Sequence, residues 1–146
     1  MIEVKVVNKS AYDLPKYAKP GDSGMDVRAN IQEPIVLGSL ERALVPTGLC
    51  FQIPEGYEIQ VRPRSGLAAK HGISLCNAIG TVDHGYTGEV KVILVNLSKD
   101  PYTIEPGERI AQLVLASTSQ MELMEVSEVI SETGRGEAGF GSTGKL

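Results

Sequence analysis

At 146 residues the chain has room for about one domain, large enough to bury about two-thirds of its unfolded surface without disulfide or metal staples. With 42% apolar and 22% charged residues it is neither disordered nor fibrous. The 14 basic residues against 18 acidic ones leave a net charge of −4, which excludes a polymeric nucleic acid as the main partner, whereas a free nucleotide needs only a local basic pocket.

The 16 Gly and 8 Pro favour short segments joined by turns over long helices. No run approaches the roughly 18 apolar residues of a membrane span, and the opening MIEVKVV places Glu3 and Lys5 where a signal peptide carries its apolar stretch. The expectation is a soluble, cytoplasmic chain starting near Met1, with no membrane partner. Cys50 and Cys76 lack CxxC or Cys/His spacing, so they are expected to be reduced and largely buried thiols.

Period-two alternation begins at once, with Ile2, Val4 and Val6 on one face and Glu3 and Lys5 on the other. Further strands are predicted at IVL (35–37), RALVPTGLCFQI (42–53), YEIQVRP (57–63), EVKVILVNL (89–97), RIAQLVLA (109–116) and MELMEV (121–126), separated by Pro/Gly turn signals. This is an all-β pattern of the sandwich or barrel type. One short helix is predicted over 65–72, with Ser65 at its start, alanines within and Gly72 at its end, and His71 reads as a C-terminal cap. From about Ser127 the apolar pattern fades into a glycine-rich segment, read as a flexible tail after a β domain of residues 1–126.

Five pieces could carry chemistry. In GMDVRA (24–29) and GERIAQLVL (107–115), Asp26 and Gln112 are polar residues inside apolar strand patterns. A buried-side carboxylate suits an ion or a metal-bound water as well as a structural hydrogen bond. In RPRSGLA (62–68), Arg64 and Ser65 stand where a strand passes into a helix, an arrangement that suits phosphate but equally a simple Ser N-cap with surface arginines. The loop from Asn77 to Tyr86 holds an amide able to read a base edge, a carboxylate able to take a proton from water and a phenol. Asp83 there also suits an Asx turn before Gly85, and His84 reads as solvated. The tail contains GxGxxG and a near P-loop, GFGSTGK, but neither follows a strand and opens a helix, so a dinucleotide or P-loop site is rejected. Its N–H groups with Arg135, Ser142 and Thr143 can still wrap an anion, and Phe140, one of two Phe in the chain, suits a ring closing on a flat ligand.

The ordered set GMDVRA, PRSGLA, GTVDHGYTGEV, GERIAQLVL and RGEAGFGSTG, spanning 24–144, resembles the five motifs of the homotrimeric dUTP diphosphatases (dUTPases). The resemblance implies a jelly-roll-like, distorted β-barrel, and three active sites shared between the subunits of a homotrimer. It implies Mg2+-assisted hydrolysis of dUTP to dUMP and pyrophosphate by water attack on the α-phosphorus, which keeps uracil out of DNA and supplies dUMP for thymidylate synthesis. By the same likeness Asp83 activates the water, Tyr86 packs under the deoxyribose and Asn77 reads uracil. Gly80 sits in the loop that bounds the sugar, and Thr81 and Val82 beside it bind substrate. Arg64, Ser65 and Gln112 serve the phosphates, Gly66 and Lys91 bind substrate, and Asp26 holds a magnesium-bound water. In the tail, Arg135 clamps the γ-phosphate catalytically, Phe140 closes over uracil, Ser142 and Thr143 contact phosphate, and Gly141 binds substrate. Ala138 departs from the Gly usual at its position but removes no ligand. A dCTP deaminase and a non-hydrolysing nucleotide-binding regulator are the rival readings, and the intact Asp83 loop speaks against both.

Overall fold

The computed structural model describes residues 1–130 and Gly136. In chain order the elements are β1 (Lys5–Asn8), β2 (Met25–Arg28), β3 (Ile35–Leu37), β4 (Arg42–Gln52), β5 (Tyr57–Arg62), α1 (Ser65–His71), β6 (Ile73–Leu75), β7 (Gly80–Val82), β8 (Glu89–Asn96), β9 (Tyr102–Ile104) and β10 (Arg109–Ser117). They form two four-stranded sheets, β1-β4-β8-β6 and β2-β10-β5-β7, and a two-stranded ribbon, β3-β9. Every pairing is antiparallel. The fold is jelly-roll-like, and among the described residues the ladders do not close into a continuous barrel.

The alternation that defines the strands also builds the core. On β4, Val45, Thr47, Leu49 and Phe51 are buried; on β8, Val90, Val92, Leu94 and Asn96 are buried. The apolar ones join residues of the second sheet and of the β3-β9 ribbon in one cluster, so the layers share a single core. Pro46 is tolerated inside β4 because the β4-β8 register shifts between Pro46 and Cys50. Gly48 (φ +72°) turns the chain inside that bulge, and its N–H donates to Glu89 Oε1 at 2.8 Å.

Asn96, with no exposed surface, is the polar knot of this core. Its Nδ2 donates to the carbonyls of Leu37 (2.9 Å) and Asp100 (2.8 Å), and its Oδ1 accepts from the backbone N–H and hydroxyl of Ser98. The β3-β9 ribbon is thereby tied to the end of β8.

Several local expectations are corrected. Arg64, not Ser65, occupies the N-cap position of α1, and no side chain caps that end. The C-terminus is closed by Gly72 in the left-handed conformation, and the His71 ring packs on Tyr102 at 5.0 Å instead of capping. Cys50 is half-buried on the outward face of β4 and Cys76 is exposed in the turn after β6, so neither is a core thiol, although both are free. MELMEV forms no strand: residues 118–130 find no ladder among the described residues, and Met121, Leu123, Met124, Val129 and Ile130 are each more than 80% exposed.

Asn96→Ala is expected to destabilise the protein by about 2–3 kcal/mol, because several buried groups lose their partner at once. Denaturant unfolding at fixed protein concentration checks this. An unchanged midpoint would show that the network is replaceable by water.

Candidate active site

The segment read as a base-and-sugar reader is hung on the second sheet. β7 pairs with β5 in the register Ile59↔Val82, Gln60↔Thr81 and Val61↔Gly80, which buries Gly80 and Val82 and leaves Thr81 outside. The chain then turns, with Gly85 at φ +91° and the Tyr86 N–H donating to the Asp83 carbonyl at 3.2 Å. A cavity of about 340 Å3 results, walled by Val61, Leu75 and Val90 and carrying Asn77, Gly80, Thr81, Val82, Asp83, Tyr86 and Lys91. Asn77, Gly80 and Tyr86, expected at the base and sugar, therefore line one cavity together with Asp83. Asp83 and Tyr86 are exposed, and the Tyr86 hydroxyl donates to the Glu89 carbonyl at 3.1 Å.

His84 is not simply solvated. Its Nδ1 lies 2.7 Å from the Ile53 carbonyl, an acceptor only, so that nitrogen carries the proton and donates. The bond ties the Asp83 loop to the end of β4, and no sequence spacing signals it because Ile53 lies 31 residues upstream.

The second cluster gathers on β2, β10 and the entry to α1. Register places Gln112 opposite Asp26 on one side and opposite Arg62 on the other, and Gln112 Nε2 donates to the Pro63 carbonyl at 3.0 Å. Arg64 meets Asp26 with both arms of its fork, Nε to Oδ1 at 3.1 Å and Nη2 to Oδ2 at 3.1 Å, while Nη1 donates to the Arg109 carbonyl at 2.9 Å. Arg109 adds a second cation at 3.4 Å, a partner that the sequence reading missed although it stands in the quoted GERIAQLVL motif. Asp26 is accordingly not an interior carboxylate: its side chain is 29% exposed and doubly paired. Gly24 makes room here, since a Cβ on it would lie 2.4 Å from Gln112 Oε1. Ser65 and Gly66 are exposed at the start of α1.

Beside this cluster, Tyr102 donates its hydroxyl to Glu108. Burial first, and then the Glu108 carboxylate, hold that phenol protonated well above its usual range. A larger cavity of about 780 Å3 runs past Gly24, Asp26, Arg109 and Gln112 to the segment around Tyr12, and it shares no lining residue with the Asp83 cavity. Among the described residues no three His, Cys, Asp or Glu side chains are placed to hold a metal ion together, and no helix is long and apolar enough to cross a membrane. Arg135, Phe140, Gly141, Ser142 and Thr143 lie outside the described residues.

Fold and clusters together define a jelly-roll-like β protein with one cavity around Asp83 and Tyr86 and a separate cluster in which Asp26 pairs with Arg64 and Arg109. The dUTPase family model matches residues 10–144. The deoxyuridine 5'-triphosphate nucleotidohydrolase of Fusobacterium nucleatum subsp. nucleatum is 63% identical over 144 residues, covering 99% of this chain and 98% of that protein. Its counterpart from Finegoldia magna is 54% identical, with 98% and 99% covered. Among solved structures, the Staphylococcus bacteriophage 80alpha dUTPase with dUpNHpp superposes with a TM-score of 0.88 at 30% identity, covering 99% of each chain. A mutant dUTPase from phage phi11 of S. aureus, described as revealing the coordination of a structural Mg(II) ion, superposes at 0.78 with 25% identity, covering 89% of this chain and 100% of that one. The chain belongs to the dUTPase family.

The doubly paired carboxylate makes a measurable difference to anion binding. In EDTA, Asp26→Asn should bind inorganic tripolyphosphate about two- to fivefold more tightly than the parent, because releasing two half-exposed ion pairs frees up to ~1 kcal/mol of competition. Titration calorimetry checks this, and unchanged or weaker binding contradicts it.

Proposed function

We propose that this protein hydrolyses dUTP to dUMP and pyrophosphate, keeping uracil out of DNA and supplying dUMP for thymidylate synthesis. The observation that carries the reading is the cavity gathering Asn77, Asp83, Tyr86 and Lys91 in a chain of the dUTPase family. The Asn77 amide, with its paired donor and acceptor, reads the uracil edge. Gly80, Thr81 and Val82 bound the sugar, and the Tyr86 ring excludes a 2′-hydroxyl by volume while offering it no partner.

Asp83 takes one proton from a water as its oxygen adds to the α-phosphorus. The bond from that phosphorus to the bridging oxygen of the β-phosphate breaks, pyrophosphate leaves with the electron pair, and no covalent enzyme intermediate forms. Arg64, Lys91, Gln112, Ser65 and Gly66 hold the triphosphate oxygens and meet the charge that shifts onto the leaving group. Arg64 reaches this task already oriented by Asp26 and the Arg109 carbonyl. Arg135 on the γ-phosphate, Phe140 over uracil, Ser142 and Thr143 on the phosphates, and Gly141 on the substrate complete the assignment from the motif resemblance, with residues 127–146 serving as a tail to a domain of residues 1–126.

The donor chemistry at Asp26 fits Mg2+. One partly exposed carboxylate is too few for a bare ion but suits a cation that keeps most of its waters and arrives on phosphate oxygens. Asp26 would hold it through one of those waters, and when bound it supplies charge neutralisation on the triphosphate.

The homotrimer with shared sites belongs to the same proposal. It is supported by the separation of the Asp83 cavity from the Asp26 cavity within one chain and by the exposed apolar residues of 121–130, a surface that isolated chains rarely leave to water.

Asp83→Asn keeps the shape of the side chain but cannot accept the proton. It is expected to leave dUTP affinity within a few-fold of the parent and to lower kcat by at least roughly a hundredfold. Single-turnover kinetics with a binding titration check this, and near-normal turnover would remove Asp83 from the chemistry.

A further inference from the structure

Tyr86 is 49% exposed, so packing alone does not fix its ring. One polar contact restrains it: the hydroxyl reaches the carbonyl of Glu89, three residues ahead, at 3.1 Å. To make that bond the ring lies back across its own chain, over residue 88. A Cβ built there would lie 2.5 Å from Tyr86 Oη, 2.7 Å from Cζ and 3.1 Å from Cε2. The first two separations are shorter than real Cβ contacts tolerate.

The backbone does not explain the glycine. Gly85 in the same loop has φ +91°, a conformation that favours Gly, whereas Gly88 is not among the positive-φ residues. The two glycines do different work: Gly85 turns the chain and Gly88 leaves space. Nor is the strand free to yield. Glu89 opens β8 opposite Cys50, and its carboxylate accepts from the Gly48 N–H at 2.8 Å. With the backbone held from the far side, an added side chain displaces the ring.

We infer that Gly88 is a specificity-determining residue: by lacking a side chain it sets the pose of the Tyr86 ring and thereby the preference for a 2′-deoxy sugar. This rests on the reading that Tyr86 excludes the 2′-hydroxyl. Exclusion by volume works only while the ring stays within a few tenths of an ångström of one position. The Glu89 carbonyl and the gap at Gly88 are what hold it there.

The test compares kcat/KM for dUTP and for UTP in the full-length parent, Gly88→Ala, Tyr86→Ala and the double variant. Gly88→Ala is expected to lower the dUTP/UTP ratio about tenfold or more, the scale of one misplaced contact in a selective pocket. In the Tyr86→Ala background the same substitution should change the ratio by less than about twofold, since the ring it displaces is gone. If Tyr86→Ala lowers the ratio while Gly88→Ala matches the parent, the inference about Gly88 is overturned and the sugar reading stands. A Tyr86→Ala ratio equal to the parent's overturns both. If Gly88→Ala fails to fold, the double variant decides: recovery of the fold once the ring is removed supports the steric account, and continued failure assigns Gly88 a backbone role and refutes the inference.

Discussion

One cross-strand row organises the phosphate end of this molecule. β10 runs between β2 and β5, so Gln112 faces Asp26 on one flank and Arg62 on the other. Its amide donates to Pro63 and fixes where the chain leaves the sheet for α1. Arg64, the next residue, thereby meets Asp26 and the Arg109 carbonyl. A slip of one residue in β10 would turn Gln112 to the core face and separate these groups, and the burial of Ala111 and Leu113 on that opposite face opposes such a slip.

Stability and chemistry occupy different places. The former resides in one shared apolar core and in the buried Asn96 network, where every polar atom is paired. The Arg64–Asp26–Arg109 pairs are one-quarter to one-half exposed, and ion pairs of that kind add little to folding. Their effect is to hold a guanidinium fork in place while occupying two of its arms, so that an incoming anion meets a fixed fork but competes with Asp26 for it. In the Asp83 loop the same end is reached with neutral contacts: His84 to Ile53, Tyr86 to Glu89 and the space at Gly88.

The long strands β4, β5, β8 and β10 were legible because apolar residues recur along them, and each differs from its reading only by a terminal residue; the short β3 also starts and ends as read, since Ile35, Val36 and Leu37 are all apolar. Three-residue strands such as β6, β7 and β9 carry too few alternations to stand out. The gathering of Asn77, Asp83, Tyr86 and Lys91 was legible through the motifs, whereas the partners that orient such residues were not. Arg109 reaches Asp26 only through strand pairing, and His84 reaches Ile53 across 31 residues. MELMEV alternates like a strand yet has no ladder among the described residues, because a strand is defined by its neighbour as much as by its pattern. Asp26 was read as interior because a strand shows two faces, and only the observed pairing places its side chain on the partly exposed one.

The central claim is that the Asp83 cavity of one subunit is completed by the Asp26–Arg64 cluster of another. Co-expression of Asp83→Asn chains with Arg64→Ala chains, carrying different tags and purified as mixed assemblies, tests it most directly. Each variant alone should be nearly inactive, and the mixed trimers should restore dUTP turnover to about a third of the parent's, because one site in three of every mixed trimer draws both intact halves from different chains. Mixed assemblies no more active than either variant alone would place both halves of the site in a single chain and contradict the account.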